Sequence, residues 1–220
     1  MAEAMELRER QPAEAARLAR TAIFFAIELR IPLRIKNLHT CRLGHNLRFA
    51  GGGSPIATLS FQAHEMKNDD DIEFGIRGRL CKALQTYIEL FLPFFAATSP
   101  DFADKQWLFP AGDGKAGPLS SSQVRKSIID TVAERVEAEF HPHLFRSLAV
   151  VFCLERDPAG LEHCRQLLGD KSMQVILIHY AAVRTKQAAE RQDRLVNEEA
   201  DRLAILALPV KRRRKTGDRS

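Results

Sequence analysis

The chain is poor in the residues that build metal centres and disulfide frameworks. It has four cysteines, Cys41, Cys81, Cys153 and Cys164, and no two of them are spaced C-x-x-C. Such thiols are typical of a reducing compartment rather than of a zinc site or a disulfide-stapled scaffold. A histidine pair at 141 and 143 could bind a metal, but no third ligand is apparent, so we expect neither a metal nor another cofactor.

Long hydrophobic runs are also missing. No apolar stretch approaches the ~20 residues that a membrane-spanning helix needs. The N-terminal sequence, MAEAMELRERQ, is charged and lacks the apolar segment of a signal peptide. We therefore expect a cytoplasmic protein that has no membrane partner.

The chain does contain enough apolar side chains for a packed domain. Its 220 residues are 45% hydrophobic and 28% charged, which is typical of a globular protein rather than a disordered one. The formal net charge is +5 and the isoelectric point is about 9.2. This basic excess favours a polyanionic partner without identifying one, since many basic proteins bind no nucleic acid.

Hydrophobic periodicity predicts a mainly helical chain with short strands in its first half. Helical spacing recurs from Pro12 to the stretch before Pro32, and again over 78–95, 120–140, 142–155, 158–169 and 172–183. The segment 47–76 alternates in polarity between glycine-rich and aspartate-rich turns, which indicates strands. Residues 97–119 are rich in turn formers, and we expect a mobile loop at GDGKAGP, residues 112–118. The serines at 120–122 offer a cap for the helix that follows.

A histidine, an arginine and a tyrosine late in the chain suggest chemistry on a phosphate. His143 and Arg146 are spaced H-x-x-R, so a helix would present both side chains on one face. A planar guanidinium donates two hydrogen bonds at once to phosphate oxygens. Tyr180 follows after about one helical hairpin and is the candidate nucleophile. The chain has one other tyrosine, Tyr87, which falls in a predicted core helix.

Two further basic residues are ambiguous when taken alone. Arg34 opens a short predicted helix, where an arginine is ordinarily a surface residue, and Arg30 and Arg42 are weaker alternatives. Lys67 lies beside a turn between two predicted strands, where a lysine is ordinarily solvated. The aspartates at 69–71 do not indicate a metal-dependent nuclease, because three consecutive side chains cannot share one face of a strand.

Together these residues resemble the catalytic domain of the tyrosine recombinases, the phage-integrase family. The motifs follow the family's order from about residue 20 to 183: Arg34, Lys67, His143 with Arg146, the LLG at 167–169, and Tyr180. The resemblance implies a mainly α fold with a small antiparallel β-sheet. It also implies cleavage and rejoining of DNA strands through a 3′-phosphotyrosine, without a metal or an external energy source.

The resemblance assigns a role to each residue. Arg34 and Arg146 would neutralise the non-bridging phosphate oxygens, most strongly in the pentacoordinate transition state. Tyr180 would attack the phosphorus in line, with His143 as its base or hydrogen-bond donor, because a phenol with a pKa of ~10 needs help to lose its proton. Lys67, on a β-hairpin, would protonate the departing 5′-oxygen.

Two positions depart from the family pattern. Asp170 stands where the family usually has histidine or tryptophan, and a carboxylate there would repel a phosphate. The commonest family spacing points to His179, and Tyr180 is one residue further along. The alternatives are therefore a DNA-binding relic or regulator that keeps the fold without turnover, and a type IB topoisomerase-like enzyme. A helical protein unrelated to DNA, with accidental motifs, is a further alternative.

The resemblance also predicts the domain organisation and the partners. We expect a flexible N-terminus at 1–11, a catalytic domain at 12–183, a helical segment at 184–208 and a basic tail at 209–220, with no N-terminal core-binding domain. The implied partner is double-stranded DNA, with a possible homotetramer on the DNA and no small-molecule substrate. The protein would associate with the nucleoid when bound, and the KRRRK tail would contact the DNA backbone through charge.

Overall fold

The computed structural model divides the chain into two units, Met1–Tyr180 and Ala181–Ser220. The residues that it describes are 1–51, 56–66, 69–137, 140–142, 144–157, 159–168, 174, 177–178, 180–181, 185 and 192–198. In the second unit, residues 192–198 are helical. Within the described residues, no helix combines the length and the apolar character that crossing a membrane requires.

The first unit is mainly helical and has two small antiparallel sheets. Its helices are α1 (Ala2–Leu7), α2 (Pro12–Glu28), α3 (Ile35–His39), α4 (Gly78–Leu90), α5 (Leu92–Ala96), α6 (Phe102–Lys105), α7 (Ser121–Val136), α8 (Leu144–Arg156) and α9 (Leu161–Leu168). Its strands are β1 (Leu47–Phe49), β2 (Ile56–Phe61), β3 (Ile72–Arg77), β4 (Pro110–Gly112) and β5 (Lys115–Pro118). The predicted fold class, mainly α with a small antiparallel sheet, is confirmed.

Helix α2 is the centre of the core. Pro12 stands at its first turn, where the missing N–H costs no helical hydrogen bond. Small residues such as Ala15 and Ala19 alternate with large ones such as Phe24, and all of these are fully buried. As a result, α2 packs against α1, α4, α5 and α7. The ring of Phe24 meets that of Phe109 edge to face, with 4.6 Å between centroids.

The first sheet has the strand order β1-β2-β3, as the alternating pattern of residues 47–76 predicts. Leu59 pairs with Leu47 on one side and with Phe74 on the other. Ala57, Leu59 and Phe61 are buried while the residues between them are half-exposed, so one face of β2 covers the core. A 3₁₀ turn, Ala63–Glu65, follows β2.

A buried asparagine fixes this turn against the sheet. Asn46 is 1% exposed, and its Oδ1 accepts a hydrogen bond from the backbone N–H of Arg42 at 3.0 Å. Its Nδ2 donates to the carbonyl of Ser60 at 3.1 Å and to the carboxylate of Glu65 at 3.1 and 3.2 Å. Because Asn46 bonds to three separate stretches of chain, it holds the end of β2 in one position.

Helices α7, α8 and α9 complete the unit. Ser120 caps α7 as predicted, since its Oγ accepts a hydrogen bond from the backbone N–H of Gln123. Phe145, near the start of α8, packs edge to face on Phe25 of α2 with 5.6 Å between centroids. Further along α8, Val150 forms a second small cluster with buried residues of α9. One end of α8 thus belongs to the main core and the other end to a satellite cluster.

The N-terminus corrects the prediction of a flexible segment at 1–11. Residues 2–7 form α1, which packs on α2 with Ala4 completely buried. Glu3 also pairs with Arg135 of α7, with 2.7 Å between Oε2 and Nη2. A helix of six residues gives little sequence signal, and its order comes from these tertiary contacts.

The structure of the turn-rich segment 97–119 also differs from the prediction. The expected mobile loop at 112–118 is the two-stranded sheet β4-β5, preceded by the short helix α6. Asp113 and Gly114 form the tight turn with φ of 54° and 75°. The carboxylate of Asp101 accepts hydrogen bonds from the backbone N–H of Gly117 and the indole N–H of Trp107, each at 3.0 Å. Strands this short show no readable alternation, so the sequence pattern indicated only turns.

We expect Asn46→Ala to lower the free energy of unfolding by about 2–3 kcal/mol, because the part-buried N–H of Arg42 loses its acceptor, and the carbonyl of Ser60 and the carboxylate of Glu65 each lose a donor. Chemical denaturation monitored by circular dichroism measures this change. Arg48→Ala is the matched control, since Arg48 donates to Ser60 Oγ from an exposed position on the same sheet. Its effect should stay within about 0.5 kcal/mol. Equal effects of the two substitutions would contradict the role assigned to Asn46.

Candidate active site

Arg34 is presented by the start of α3. It is the residue before the first helical turn, with extended backbone dihedrals, and its carbonyl accepts hydrogen bonds from the N–H groups of Asn37 and Leu38. Pro32, two residues before Arg34, prevents α2 from continuing into this segment. The side chain of Arg34 is half-buried. The chain therefore turns sharply here, with an arginine at the turn.

Arg146 is held by backbone carbonyls. It is 5% exposed, and it follows Phe145, which anchors α8 in the core. Its Nη1 donates to the carbonyl of Pro32 at 2.9 Å, and its Nη2 donates to the carbonyl of Leu168 at 3.0 Å. The guanidinium thus joins the segment before Arg34 to the end of α9. Both of these acceptors are neutral, so they orient the guanidinium without cancelling its charge.

These two arginines line one cavity. Its volume is about 250 Å³, and its described lining residues are Leu33, Arg34, Ile35, Lys36, Arg125, His141, Pro142 and Arg146. No aspartate or glutamate occurs among these lining residues. A concave surface with several cations and no described carboxylate suits an anion with several oxygens, such as a phosphate. The structure therefore brings together two of the residues that the sequence pattern singled out.

Three basic or imidazole side chains of the lining were not among the predicted site residues. Lys36 lies in the first turn of α3, Arg125 lies in the first turns of α7, and His141 precedes α8. The packing of α3 against α7 brings Arg125 to the cavity. Lys36 could have been predicted from the sequence, because it lies two residues after Arg34. Arg125 could not, because the residues that it meets in the cavity are distant from it in sequence.

Lys67, His143 and Asp170 lie outside the described residues, so the geometry given above does not include their side chains. The residues beside Lys67 are described. Asn37 of α3 is buried, and its Nδ2 donates to the carbonyl of Glu65 at 3.0 Å and contacts Met66 Sδ at 3.3 Å. The helix that Arg34 opens is thus bonded to the chain immediately before Lys67. Lys67 falls between β2 and β3, which is the hairpin expected for it.

The two tyrosines have different environments. Tyr87 is completely buried in α4, its hydroxyl donates to the carbonyl of Leu108 at 3.2 Å, and burial raises its pKa above the ordinary value. No phosphate can reach it without unfolding. Tyr180 is half-buried and packs against the satellite cluster of α8 and α9, which includes Val150 and Leu168. Tyr180 is not among the described lining residues of the cavity.

Within the described residues, no group of three histidine, cysteine, aspartate or glutamate side chains could hold a metal ion. The described cysteines are also poorly suited to binding a metal. Burial raises the pKa of the Cys41 thiol above its ordinary range, and burial with a contact to Cys153 raises that of Cys164 to about 12. These thiols are protonated near neutral pH and are poor nucleophiles and metal ligands.

Comparison with solved structures identifies the fold. The chain superposes on XerA recombinase with a TM-score of 0.52 and 19% identity, over 80% of this chain and 60% of that one. It superposes on XerH site-specific recombinase, in a pre-cleavage complex with its difH substrate, with a TM-score of 0.56 and 15% identity. That match covers 78% of this chain and 44% of the other.

The fold is therefore that of tyrosine recombinase catalytic domains, and the resemblance drawn from the sequence is confirmed at the level of the fold. This chain spans less than two thirds of the length of either structure. No protein-family model matches the sequence. No curated protein matches it either.

We expect Arg34→Ala to weaken binding of sulfate, a stable mimic of a phosphate group, by about fivefold or more, because one charge-assisted contact is lost. Chemical shift titration of the ¹⁵N-labelled chain gives the dissociation constant. Arg48→Ala removes an exposed arginine from outside the cavity and should leave it unchanged. If both substitutions weaken binding equally, sulfate is responding to net charge rather than to the cavity.

Proposed function

We propose that this chain, which has the fold of a tyrosine recombinase catalytic domain, binds double-stranded DNA and cleaves and rejoins its strands through a 3′-phosphotyrosine. The observation that carries the proposal is the convergence of Arg34 and Arg146 on one cavity rich in cations. The fold alone would be compatible with many functions. The cavity adds the charge and the shape that a phosphodiester requires.

In the proposed reaction, Arg34 and Arg146 bind the two non-bridging oxygens of the scissile phosphate. Negative charge on those oxygens grows as the pentacoordinate transition state forms, so the arginines stabilise it more than the ground state. Lys36 and Arg125 add positive potential at the rim of the same cavity. This concentrates the polyanionic substrate there and makes binding depend steeply on salt.

The chemical step is a transesterification. The Oη of Tyr180 forms a bond to phosphorus as the bond from phosphorus to the 5′-oxygen breaks. His143 takes the phenolic proton, and Lys67 gives a proton to the departing 5′-oxygen. Since one phosphoester replaces another, attack by a 5′-hydroxyl on the phosphotyrosine reverses the step without an energy source. In the Michaelis complex the Oη of Tyr180 must reach the phosphate in the cavity.

The proposed partner is a DNA duplex, with assembly into a tetramer when two duplexes are brought together. The XerH structure supports this partner, because that recombinase was captured with its difH substrate. A second candidate function is DNA binding without turnover, as in a regulator or relic. Two observations favour it: an aspartate at position 170 and a Tyr180 side chain that packs on the satellite cluster and is not among the described lining residues of the cavity. Both candidates require the cationic cavity, and they differ only in covalent chemistry.

A covalent trapping assay separates the two candidates. On a nicked suicide duplex taken from the flanking genomic junction, we expect the wild-type chain to form an adduct that survives denaturation. Tyr180→Phe should abolish the adduct and leave DNA affinity within about twofold, because a phenyl ring keeps the packing. Tyr87→Phe is the matched control and should retain the adduct.

An adduct in Tyr180→Phe would show that another side chain is the nucleophile. No adduct with any variant, when DNA binding is intact, would favour the binding-only function. Relaxation of supercoiled plasmid without a specific site would instead indicate a type IB topoisomerase.

Asp170→His should raise the rate of adduct formation by about 10-fold to 100-fold, because it replaces a repelling carboxylate with a hydrogen-bond donor near the phosphate. Single-turnover cleavage on the same suicide duplex measures the rate. Asp170→Asn is the informative control, since it removes the charge without supplying the imidazole. If neither substitution changes the rate, the side chain of Asp170 points away from the phosphate.

A further inference from the structure

A second cavity bordered by two arginines is formed where the chain leaves α2. Its volume is about 350 Å³. It is lined by Arg30 and Ile31, which follow α2, by residues 74–77 of β3, and by Leu80 of α4. No described lining residue carries a carboxylate. The proposed reaction does not use this cavity, so its charge needs a separate explanation.

The two arginines of this second cavity are accessible to a ligand. Arg30 and Arg77 are exposed, and within the described part of the chain neither side chain has a hydrogen bond or an ion pair. The other side chains of the lining are mostly apolar, and Ile31 and Leu80 are buried. A charge beside an apolar surface attracts an anion more strongly than the same charge in bulk water. Two guanidinium groups in this setting suit a group with several anionic oxygens.

The backbone of β3 is also open at the second cavity. This strand lies at the edge of its sheet, and Gly75 lies within it. Glycine weakens a strand interior, and it often marks a place where a ligand or another backbone approaches closely. A Cβ added at Gly75 would meet no other atom within 4 Å, so packing does not require a glycine here. The missing side chain leaves room for a ligand.

The two cavities are close to each other along the chain. Ile31 lines the second cavity and Leu33 lines the first, on either side of Pro32. Because Arg34 is four residues after Arg30, their Cα atoms are at most about 14 Å apart. Phosphates of one DNA strand recur about every 3.4 Å along the helix axis. A strand bound in the first cavity therefore has further phosphates within reach of the second.

We propose that the second cavity, bordered by Arg30 and Arg77, binds another phosphate of the DNA strand whose scissile phosphate occupies the first cavity. This proposal rests on the proposed function, since it takes the same DNA duplex as the ligand. Two points of attachment fix the orientation of a strand, which one point cannot do. The contact reads no base, so it positions the DNA without selecting its sequence.

The first test is the salt dependence of binding to a short duplex of arbitrary sequence, measured on the full chain by fluorescence anisotropy. Each phosphate contact contributes about 0.9 to the slope of log affinity against log salt concentration. The double variant Arg30→Ala/Arg77→Ala should therefore reduce the slope by about one. It should also weaken binding by about tenfold, as expected for the loss of a charge-assisted contact.

The matched control for charge is Arg79→Ala/Lys82→Ala. It removes the same charge from exposed positions of α4 that are not among the described lining residues. This variant should keep the wild-type slope. Equal reductions in the two double variants would overturn the proposal, because the duplex would then be responding to net charge.

Gly75→Val tests the second cavity without changing any charge. The added side chain enters open space, so the stability should be retained, which chemical denaturation checks. Duplex binding should weaken by about fivefold or more, comparable to the loss of one contact. Gly51→Val is the control, because a Cβ at Gly51 also meets no atom within 4 Å and Gly51 is not a described lining residue. Wild-type affinity in Gly75→Val would count against a ligand in this cavity.

A scan with neutral phosphates locates the second contact on the strand. Methylphosphonate linkages, which lack the charge of a phosphate, replace single positions within about four nucleotides of the nick in the suicide duplex. Affinities are measured in a Tyr180→Phe background, so that covalent trapping does not intervene. This background should lose affinity at one position, and adding Arg30→Ala/Arg77→Ala should cause no further loss there, because the two changes remove the same contact.

Additive losses at every position of the scan would overturn the proposal. Trapping on the same duplex with Tyr180 intact reports separately on the proposed function. A located second phosphate in a chain that forms no adduct would support this inference and count against strand transfer. An adduct together with additive losses would support strand transfer and exclude the second phosphate contact.

Discussion

The pair of hydrogen bonds from Arg146 to the carbonyls of Pro32 and Leu168 is the contact on which the candidate site depends. Through them, one buried guanidinium joins the turn before Arg34 to the end of α9. Carbonyl oxygens are neutral acceptors, so these two hydrogen bonds orient the guanidinium without adding a negative charge beside it. The site is preorganised in this sense before any ligand arrives.

Sequence patterns predicted the parts of this protein whose signal is local. The α2 periodicity, the alternation of Leu59 with Phe61 and the Ser120 cap each depend on neighbours within a few positions, and each was found. Features set by distant contacts were missed. The order of α1 comes from Ala4 on α2 and from the Glu3–Arg135 pair, and the β4-β5 hairpin depends on Asp101. In the site, Arg34 and Arg146 were predictable from motif order, whereas Arg125 reaches the cavity only through the packing of α3 on α7.

In the proposed reaction, the residues that bind the phosphate are held differently from the residue that attacks it. Arg146 is fixed by burial and by two hydrogen bonds, while Tyr180 lies on a small cluster outside the main core. A nucleophile that packs on few apolar neighbours can leave them at little cost in free energy, because the penalty grows with the apolar area exposed. Moving Arg146 would cost more free energy, because it would break two hydrogen bonds of a buried guanidinium. In the proposed reaction, the arginines of the cavity therefore bind the phosphate first. The chemical step follows when Tyr180 reaches the bound phosphate. In the proposed reaction, such an order would prevent cleavage of the DNA until the tyrosine reaches the bound phosphate.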